Sequence, residues 1–364
     1  MTKEISKWSD SFMFEAEEID SAKGPEVYLL SANNDPLGSI AAAAKAYKGE
    51  FVKSLAEITD EERKYYLGEI QKTKLEMPLE SVNFQFRITG VTRGFTHQLV
   101  RQRTAAYSQE STRFAVKSGV PVGLPPSLIG TNPDAWDDNL GEALEMGFSA
   151  QGVEDYAYKH TSQRDRWRMK WDRMMGYVAE GYNELVNDGM PAEDARGALP
   201  TNLLTQVNYH TNLRGLKDHA GNRLCTQAQF EWRLVWHAII VAIQEYGNNQ
   251  TYSRTIPGNF QEHGIHAKWQ FDALAAIFRP VCYYTGKCEF KADFDRKCTI
   301  RDRVDKFHEH GVPSTQWDKD FIKPVDSDPV FVKVDGMMPK PDMRTIRFEG
   351  INPREWLLDP GAAR

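Results

Sequence analysis

Several things are scarce in this chain, and each scarcity removes a class of explanation. Four of its 364 residues are cysteine, too few for a disulfide scaffold at this length. No run of 18 or more apolar residues occurs. The most apolar stretch, Leu234 to Ile243, is interrupted by His237 and ends at Gln244, which fits a buried helix better than a membrane span. A positive excess is missing too: 45 basic against 51 acidic residues leave a formal charge of −6. That excludes a globally basic coat for nucleic acid while permitting a local basic pocket. Met1 to Asp20 is acidic and polar, without the apolar stretch of a secretory signal. Hydrophobic residues make up 41% and aromatics 11%, enough for a sizeable packed core. The expectation is a globular, cytoplasmic protein of about two domains, or one domain enlarged by insertions, with neither nucleic acid nor membrane as partner.

Along the chain, Val27 to Ser31 reads as a strand, and Asn33 to Pro36 breaks it before an alanine-dense helix from Ser39 to Tyr47. Thr59 and Glu62 form a capping box at the start of a helix running toward Lys74. Val82 to Ile88 alternates apolar with polar residues and predicts a half-buried strand. From Thr92 the spacing turns helical, with Phe95, Leu99 and Val100 on one side and His97, Gln98 and Arg101 on the other. Phe114 to Gly152 reads as loops and an insertion, and Glu154 to Asn187 as one long helix. Ala192 to Leu199 predicts a short helix. Two longer helices are expected over roughly Asn202 to Lys217 and Thr226 to Tyr246, and another near Trp269 to Phe278.

Two clusters carry chemistry. Arg101 to Arg113 holds three arginines and two glutamines among serines and threonines. Arginine forks suit phosphate and carboxylate oxygens, and glutamine amides can read the edge of a base or an isoalloxazine. A solvated helix end is the alternative for this segment alone. The second cluster comprises Asn212, Arg214, Asp218, His219, Asn222, Arg223, Gln227 and Gln229. Arg214 and Asp218 lie one helical turn apart, and buried arginines need partners or a bound anion. Two such clusters in one chain favour a ligand cleft.

These residues resemble the flavin-dependent thymidylate synthases. The family signature, Arg-His-Arg, seven residues, then Ser, reads Arg101-Gln102-Arg103, seven residues, Ser111. Further motifs follow in order: Asp35-Pro36-Leu37 with its alanine-rich helix, Met77 to Glu80, Tyr182 to Pro200 with Glu193 to Arg196 and Leu199-Pro200, and Asn212 to Arg233 in the pattern Asn-x-Arg…Arg…Ala-Gln-x-Glu. The resemblance covers roughly residues 25 to 113 and 175 to 290. It implies an α/β fold, a twisted β-sheet with flanking helices and a helical bundle, as in thymidylate synthase-complementing proteins. Residues 1–290 would form the catalytic domain, with an insertion at about 114–177, and 291–364 a C-terminal extension.

Position by position, the resemblance implies that Arg101, Gln102 and Arg103 contact FAD, together with Asn212, Arg214 and Asp218. Gln98, Arg101, Gln109, Ser111, Arg113 and Arg223 would hold dUMP. Arg223 would be catalytic, favouring ionisation at N3 of the uracil. The implied activity is reductive methylation of dUMP to dTMP with methylenetetrahydrofolate and NADPH, in a homotetramer. Departures from the pattern are Gln102 for the central histidine, Gln109 for a glutamate, Met77 for a threonine, Lys74-Leu75 for Gly-His and Gln206 for an arginine. They keep two alternatives in view: hydroxymethylation of a pyrimidine nucleotide, and a non-catalytic nucleotide- or flavin-binding homologue.

No nucleophilic cysteine is required, and Cys225, in Leu-Cys-Thr-Gln, reads as a small buried residue. Cys282, Cys288, Cys298, His308 and His310 could supply zinc ligands, but without any Cys-x-x-Cys pair the pattern is weak, and no metal is expected. The run Arg164 to Met175, rich in arginine, tryptophan and methionine, reads as an interface or core-facing helix with a charged outer side rather than a nucleic-acid face.

Overall fold

A computed structural model describes residues 14–15, 24–73, 75–117, 119–225, 228–256 and 259–282. The first part contains β1 (Phe14–Glu15), β2 (Glu26–Ala32), α1 (Pro36–Tyr47), α2 (Asp60–Thr73), β3 (Asn83–Thr92), α3 (Arg93–Leu99), β4 (Ala105–Gln109) and β5 (Ala115–Val116). A helical stretch follows: α4 (Ala135–Glu145), α5 (Ala150–His160), α6 (Gln163–Asn187) and α7 (Ala192–Ala195). The chain then returns through β6 (Leu204–Asn212), α8 (Leu213–Arg223), α9 (Phe230–Gly247), β7 (Thr251–Ile256), β8 (Asn259–His266) and α10 (Lys268–Ala275).

The main sheet has the order β2-β3-β6-β4, and every pairing in it is antiparallel. Strand β3 occupies an inner position because its alternation gives it one fully apolar face. Phe84, Phe86 and Ile88 are buried, while Asn83, Gln85 and Arg87 between them are exposed. That face packs with Val207 and Tyr209 of β6 against Val235, Trp236, Ile239 and Ile243 of α9, and behind them Phe271 and Leu274 of α10. Burying each such side chain contributes roughly 1.5–3 kcal/mol, so the shared cluster between the sheet and α9, which lies closest to β2, is a large stabilising contribution. The opposite face stays polar, as an antiparallel sheet covered on one side permits.

Local chemistry sets several helix starts. The Thr59 hydroxyl accepts from the Glu62 amide at 3.1 Å, and the Glu62 carboxylate accepts from the Thr59 amide at 2.8 Å, the expected capping box. Asp35 caps α1 through the Gly38 amide. It also receives a two-pronged bond from the fully buried Arg63 of α2, at 3.0 and 2.5 Å, which satisfies a guanidinium that could not be buried unpaired.

Four expectations need correction. Asn202 to Lys217 is not one helix: β6 occupies its first part, because Val207, Tyr209 and Thr211 recur with period two and are bulky or β-branched residues that bury on a pleat. Phe114 to Gly152 contains β5, α4 and the start of α5. The expected long helix from Glu154 is broken at Thr161, where the Ser162 hydroxyl accepts from the Asp165 amide and starts α6 afresh. Val100 is exposed, because α3 ends at Leu99 and Val100 is no longer held against the core. The β7–β8 hairpin carried no expectation at all. No helix among the described residues is long and apolar enough to cross a membrane.

Candidate functional site

The site is built where α3 leaves the sheet and meets α8 and α9. Thr92 caps α3, its hydroxyl accepting from the Phe95 amide at 3.0 Å. Its own amide and hydroxyl donate to the Glu231 carboxylate at 2.6 and 2.7 Å. Burial raises the pKa of Glu231, and the two bonds from Thr92 oppose that shift. Gln229 donates to Glu231 at 3.2 Å, and Gln98 donates to Gln229 at 2.6 Å. The Gln98 carbonyl oxygen accepts from Nη1 of Arg223 at 3.0 Å and from the Trp232 indole at 2.9 Å. A chain of bonds thus runs from the α3 cap to the last residue of α8.

Arg223 is the centre of this arrangement. Its guanidinium lies over the Trp232 ring, 4.8 Å from the centroid, a cation–π contact. Burial lowers its pKa, and the neighbouring Arg101 lowers it further. The group still remains a cation at neutral pH. Its Nε is buried without a hydrogen-bond partner, a state native proteins rarely leave uncompensated. Arg101 and Arg103 are exposed, and neither guanidinium forms an ion pair among the described residues.

Other expected residues are already bonded. The Gln102 amide donates to the Gly215 carbonyl at 2.7 Å, and its oxygen accepts from Tyr209 at 2.5 Å. Gly215 is required there: a Cβ would lie 2.9 Å from Thr211 Oγ1 and 3.0 Å from Gln102 Nε2. Asn212 caps α8 through the Gly215 amide at 2.8 Å, and Arg214 is paired with Glu80. Asp218 is exposed, and its pKa is raised by partial desolvation of the carboxylate and by the nearby Glu76. Burial holds the neighbouring His219 down at about 3, helped by Arg223, so it is a neutral ring packed edge-on against Trp232.

The Gln109-to-Arg113 segment is fastened to α3 and to the sheet. Gln109 donates to Thr96 at 2.8 Å. Arg93 donates to the Glu110 carbonyl and to Thr112. Ser111 accepts from the Arg113 amide, and Arg113 itself is paired with Glu193 at 2.9 Å. Beneath Ser111, Lys117 and Glu110 form an ion pair at 2.6 Å with side chains only 2% and 9% exposed. Thr205 donates to the second Glu110 oxygen at 3.3 Å, and Tyr182 of α6 accepts from the Lys117 amide at 3.3 Å. Val120, next along, holds φ at +38°, a costly backbone state for a β-branched residue.

Gln206 does not stand alone: the Arg87 guanidinium donates to it at 2.7 Å, so a positive charge is present beside that position from the adjacent strand. Sequence reasoning missed Arg87, Trp232 and the Lys117–Glu110 pair, and gave Glu231 no role beyond its place in a family motif. The usable signal for Arg87 was its place on the polar side of an alternating strand. Cys225 is partly exposed rather than buried, because α8 ends at Arg223 and leaves it in a turn. Of the candidate zinc ligands, Cys282 is buried and the others lie outside the described residues, among which no metal-binding cluster occurs. Gln227 also lies outside them, as does the stretch from 283 onward.

The family model for thymidylate synthase complementing protein matches residues 28–246. A flavin-dependent thymidylate synthase of Clostridium tetani is 28% identical over 228 residues, covering 62% of this chain and 85% of that protein. One from Pyrococcus furiosus is 32% identical over 211 residues, covering 57% and 75%. The crystal structure of thymidylate synthase X from Helicobacter pylori, with FAD and dUMP, aligns with a TM-score of 0.41 and 22% identity, covering 60% of this chain and 92% of that one.

Proposed function

The chain belongs to the thymidylate synthase complementing protein family, and from that premise we propose that it methylates dUMP to dTMP with FAD, methylenetetrahydrofolate and NADPH. The observation that carries the reading is the half-buried Arg223, held by Gln98 and Trp232 with one buried N–H unpartnered. A fixed cation of this kind stabilises negative charge developing on a bound ring. In uracil that charge follows loss of the N3 proton and is shared with O2 and O4; the more electron-rich ring makes C5, the enamine carbon of N1–C6=C5, the carbon nucleophile. Bound FAD would supply the hydride chemistry.

The donor set fits such a group. Arg101 and Arg103 offer guanidinium forks, uncommitted among the described residues, to an anionic phosphorylated ligand. Gln102, Asn212 and Arg214 act beside them mainly by fixing the shape of the α8 start, and Asp218 supplies a carboxylate at its edge. On the nucleotide side, Gln98 and Arg101 stand next to Arg223, while Gln109, Ser111 and Arg113 form a second donor group near α3. We assign residues 1–290 to the catalytic unit and 291–364 to an extension, and place the enzyme in the cytoplasm as a homotetramer.

Freshly purified protein should be yellow or should take up FAD. It should then form dTMP from dUMP, methylenetetrahydrofolate and NADPH, identified by product mass. A hydroxymethyl product would shift the assignment to the related one-carbon reaction. Protein that cannot be loaded with FAD would overturn the reading.

A further inference from the structure

The hydrogen bonds that join Thr92 to Arg223 all run in one direction. At one end the Arg223 guanidinium and the Trp232 indole can only donate, and at the other an ionised Glu231 can only accept. Between them lie the amides of Gln98 and Gln229, and either end of an amide can face a partner. The two fixed ends leave one choice. Gln229 Nε2 donates to Glu231 Oε2 at 3.2 Å, so the Gln229 oxygen faces Gln98. Gln98 Nε2 donates to that oxygen at 2.6 Å. The Gln98 oxygen is thereby turned to Arg223 Nη1 and Trp232 Nε1, at 3.0 and 2.9 Å.

The carboxylate that sets this order is held from another element. The Thr92 amide donates to Glu231 Oε1 at 2.6 Å and the Thr92 hydroxyl to Oε2 at 2.7 Å. Thr92 is the cap of α3, Glu231 lies in the first turn of α9, and Arg223 ends α8. One carboxylate therefore ties the starts of α3 and α9 together and decides which atom of Gln98 meets the guanidinium.

We propose that Glu231 is a positioning residue for the methylation: its carboxylate orients Gln229 and Gln98, and the Gln98 oxygen then holds the Arg223 guanidinium over Trp232. The inference rests on the catalytic reading of Arg223 and adds to it a residue that acts through two others. Glu231→Gln keeps the shape but puts an NH2 group in place of Oε2. Two NH2 groups then meet at Gln229. If Gln229 turns over, they meet at Gln98 instead. If Gln98 turns as well, its NH2 faces the Arg223 cation and the Trp232 N–H. A donor is left unanswered in every arrangement. E231Q/Q229E repairs the order, because position 231 then donates to a carboxylate at 229, and Gln98 donates to it as before.

The test uses the full-length protein loaded with FAD, its turnover of dUMP, and crystal structures of the wild type and the variants. E231Q should lower kcat and kcat/KM together, by up to about 10²-fold, as a displaced transition-state contact does. Q229E alone should also fall, since two carboxylates then face each other. E231Q/Q229E should recover most of the loss, which a side chain needed only to fill space would not do. In the E231Q structure the Arg223 guanidinium should leave the Trp232 ring, and in the double variant it should return. The proposal is overturned if E231Q turns over like wild type, if the double variant stays as low as E231Q, or if Arg223 keeps its place on Trp232 in E231Q. Should E231Q fail to fold, the double variant decides alone: activity within a few-fold of wild type supports the proposal and its loss overturns it. Wild type that binds FAD and shows the Arg223 displacement in E231Q, yet forms no dTMP, leaves Glu231 as the residue that orients Arg223 and sinks the assigned reaction. Active wild type indifferent to E231Q sinks this inference alone.

Discussion

On one side of the site the polar groups are already bonded, and on the other they are not. Asn212, Arg214 and Gln102 each have a protein partner at the start of α8, and Glu110 and Lys117 have one another under Ser111. Arg101 and Arg103 have none among the described residues, and Arg223 keeps one buried N–H unanswered. Buried donors are almost always paired in native proteins, so the unanswered Nε of Arg223, with the exposed Arg101 near enough to lower its pKa and the exposed Arg103 two residues on, is the place to test for a ligand, and the closed group is what shapes the opening. The two groups should therefore respond to mutation in opposite currencies, the closed one in stability and the open one in turnover.

The largest expected effect is on the closed side. Lys117→Met leaves the Glu110 carboxylate buried with little beyond the Thr205 hydroxyl, and breaking a buried pair in this way costs roughly 3–5 kcal/mol. Thermal unfolding should show a fall of many degrees, and the dUMP KM should rise because Ser111 and Arg113 ride on the same segment. Arg223→Ala is the counterpart. Removing a preorganised charge-stabilising donor typically lowers kcat by about 10²–10³, while the melting temperature should barely move, since a half-buried cation next to Arg101 contributes little to folding. If Arg223→Ala unfolds the protein as readily as Lys117→Met, the division between open and closed groups fails.

The fold was legible wherever one short segment contains its own instruction. The capping box at Thr59 and the alternation of β3 both state their structure within seven residues. Strand β6 was not legible in this way, because its glutamine, asparagine and histidine positions mix with helix-compatible residues, and its period shows only once β3 and β4 flank it. The insertion hid α4 and α5, which are only eleven residues each and bury no more than Ala143, Val153 and Ala157. For the site, Gln98, Arg101 and Arg223 were legible as residues but not as neighbours. Their junction depends on Gln229, Glu231 and Trp232, which reach it through the rotation of α9. The order of motifs, rather than any single one, carried the resemblance.

A smaller effect sharpens the picture through pH. Burial holds the folded His219 at about 3, well below the ordinary value near 6.5. A depressed histidine binds fewer protons folded than unfolded, so stability is full above about pH 6.5 and declines as the pH falls toward 3. The contribution is at most about 1.4 kcal/mol per pH unit from this one group. Chemical denaturation of wild type and His219→Gln at pH 7 and pH 5 should show a shallower loss in the variant. An equal loss in both would assign the acid sensitivity elsewhere, His237 being next in line because burial also lowers its pKa.

Asn212 offers the finest test, because it sits on the boundary between the two groups. As the cap of α8 it accepts from the Gly215 amide, and Asn212→Ala should cost about 1 kcal/mol of stability. Asn212→Asp keeps the cap and adds a negative charge at a helix N-terminus, where the dipole favours it, so its melting temperature should match or exceed wild type. An anionic ligand resting on that helix start would be repelled by the same substitution. FAD titration of the two variants then separates the roles. If Asn212→Asp holds its stability and loses FAD affinity, Asn212 faces the cofactor as well as the helix. If FAD affinity instead follows the melting temperature in both variants, Asn212 belongs wholly to the closed group, and cofactor recognition rests on Arg101, Arg103 and Asp218.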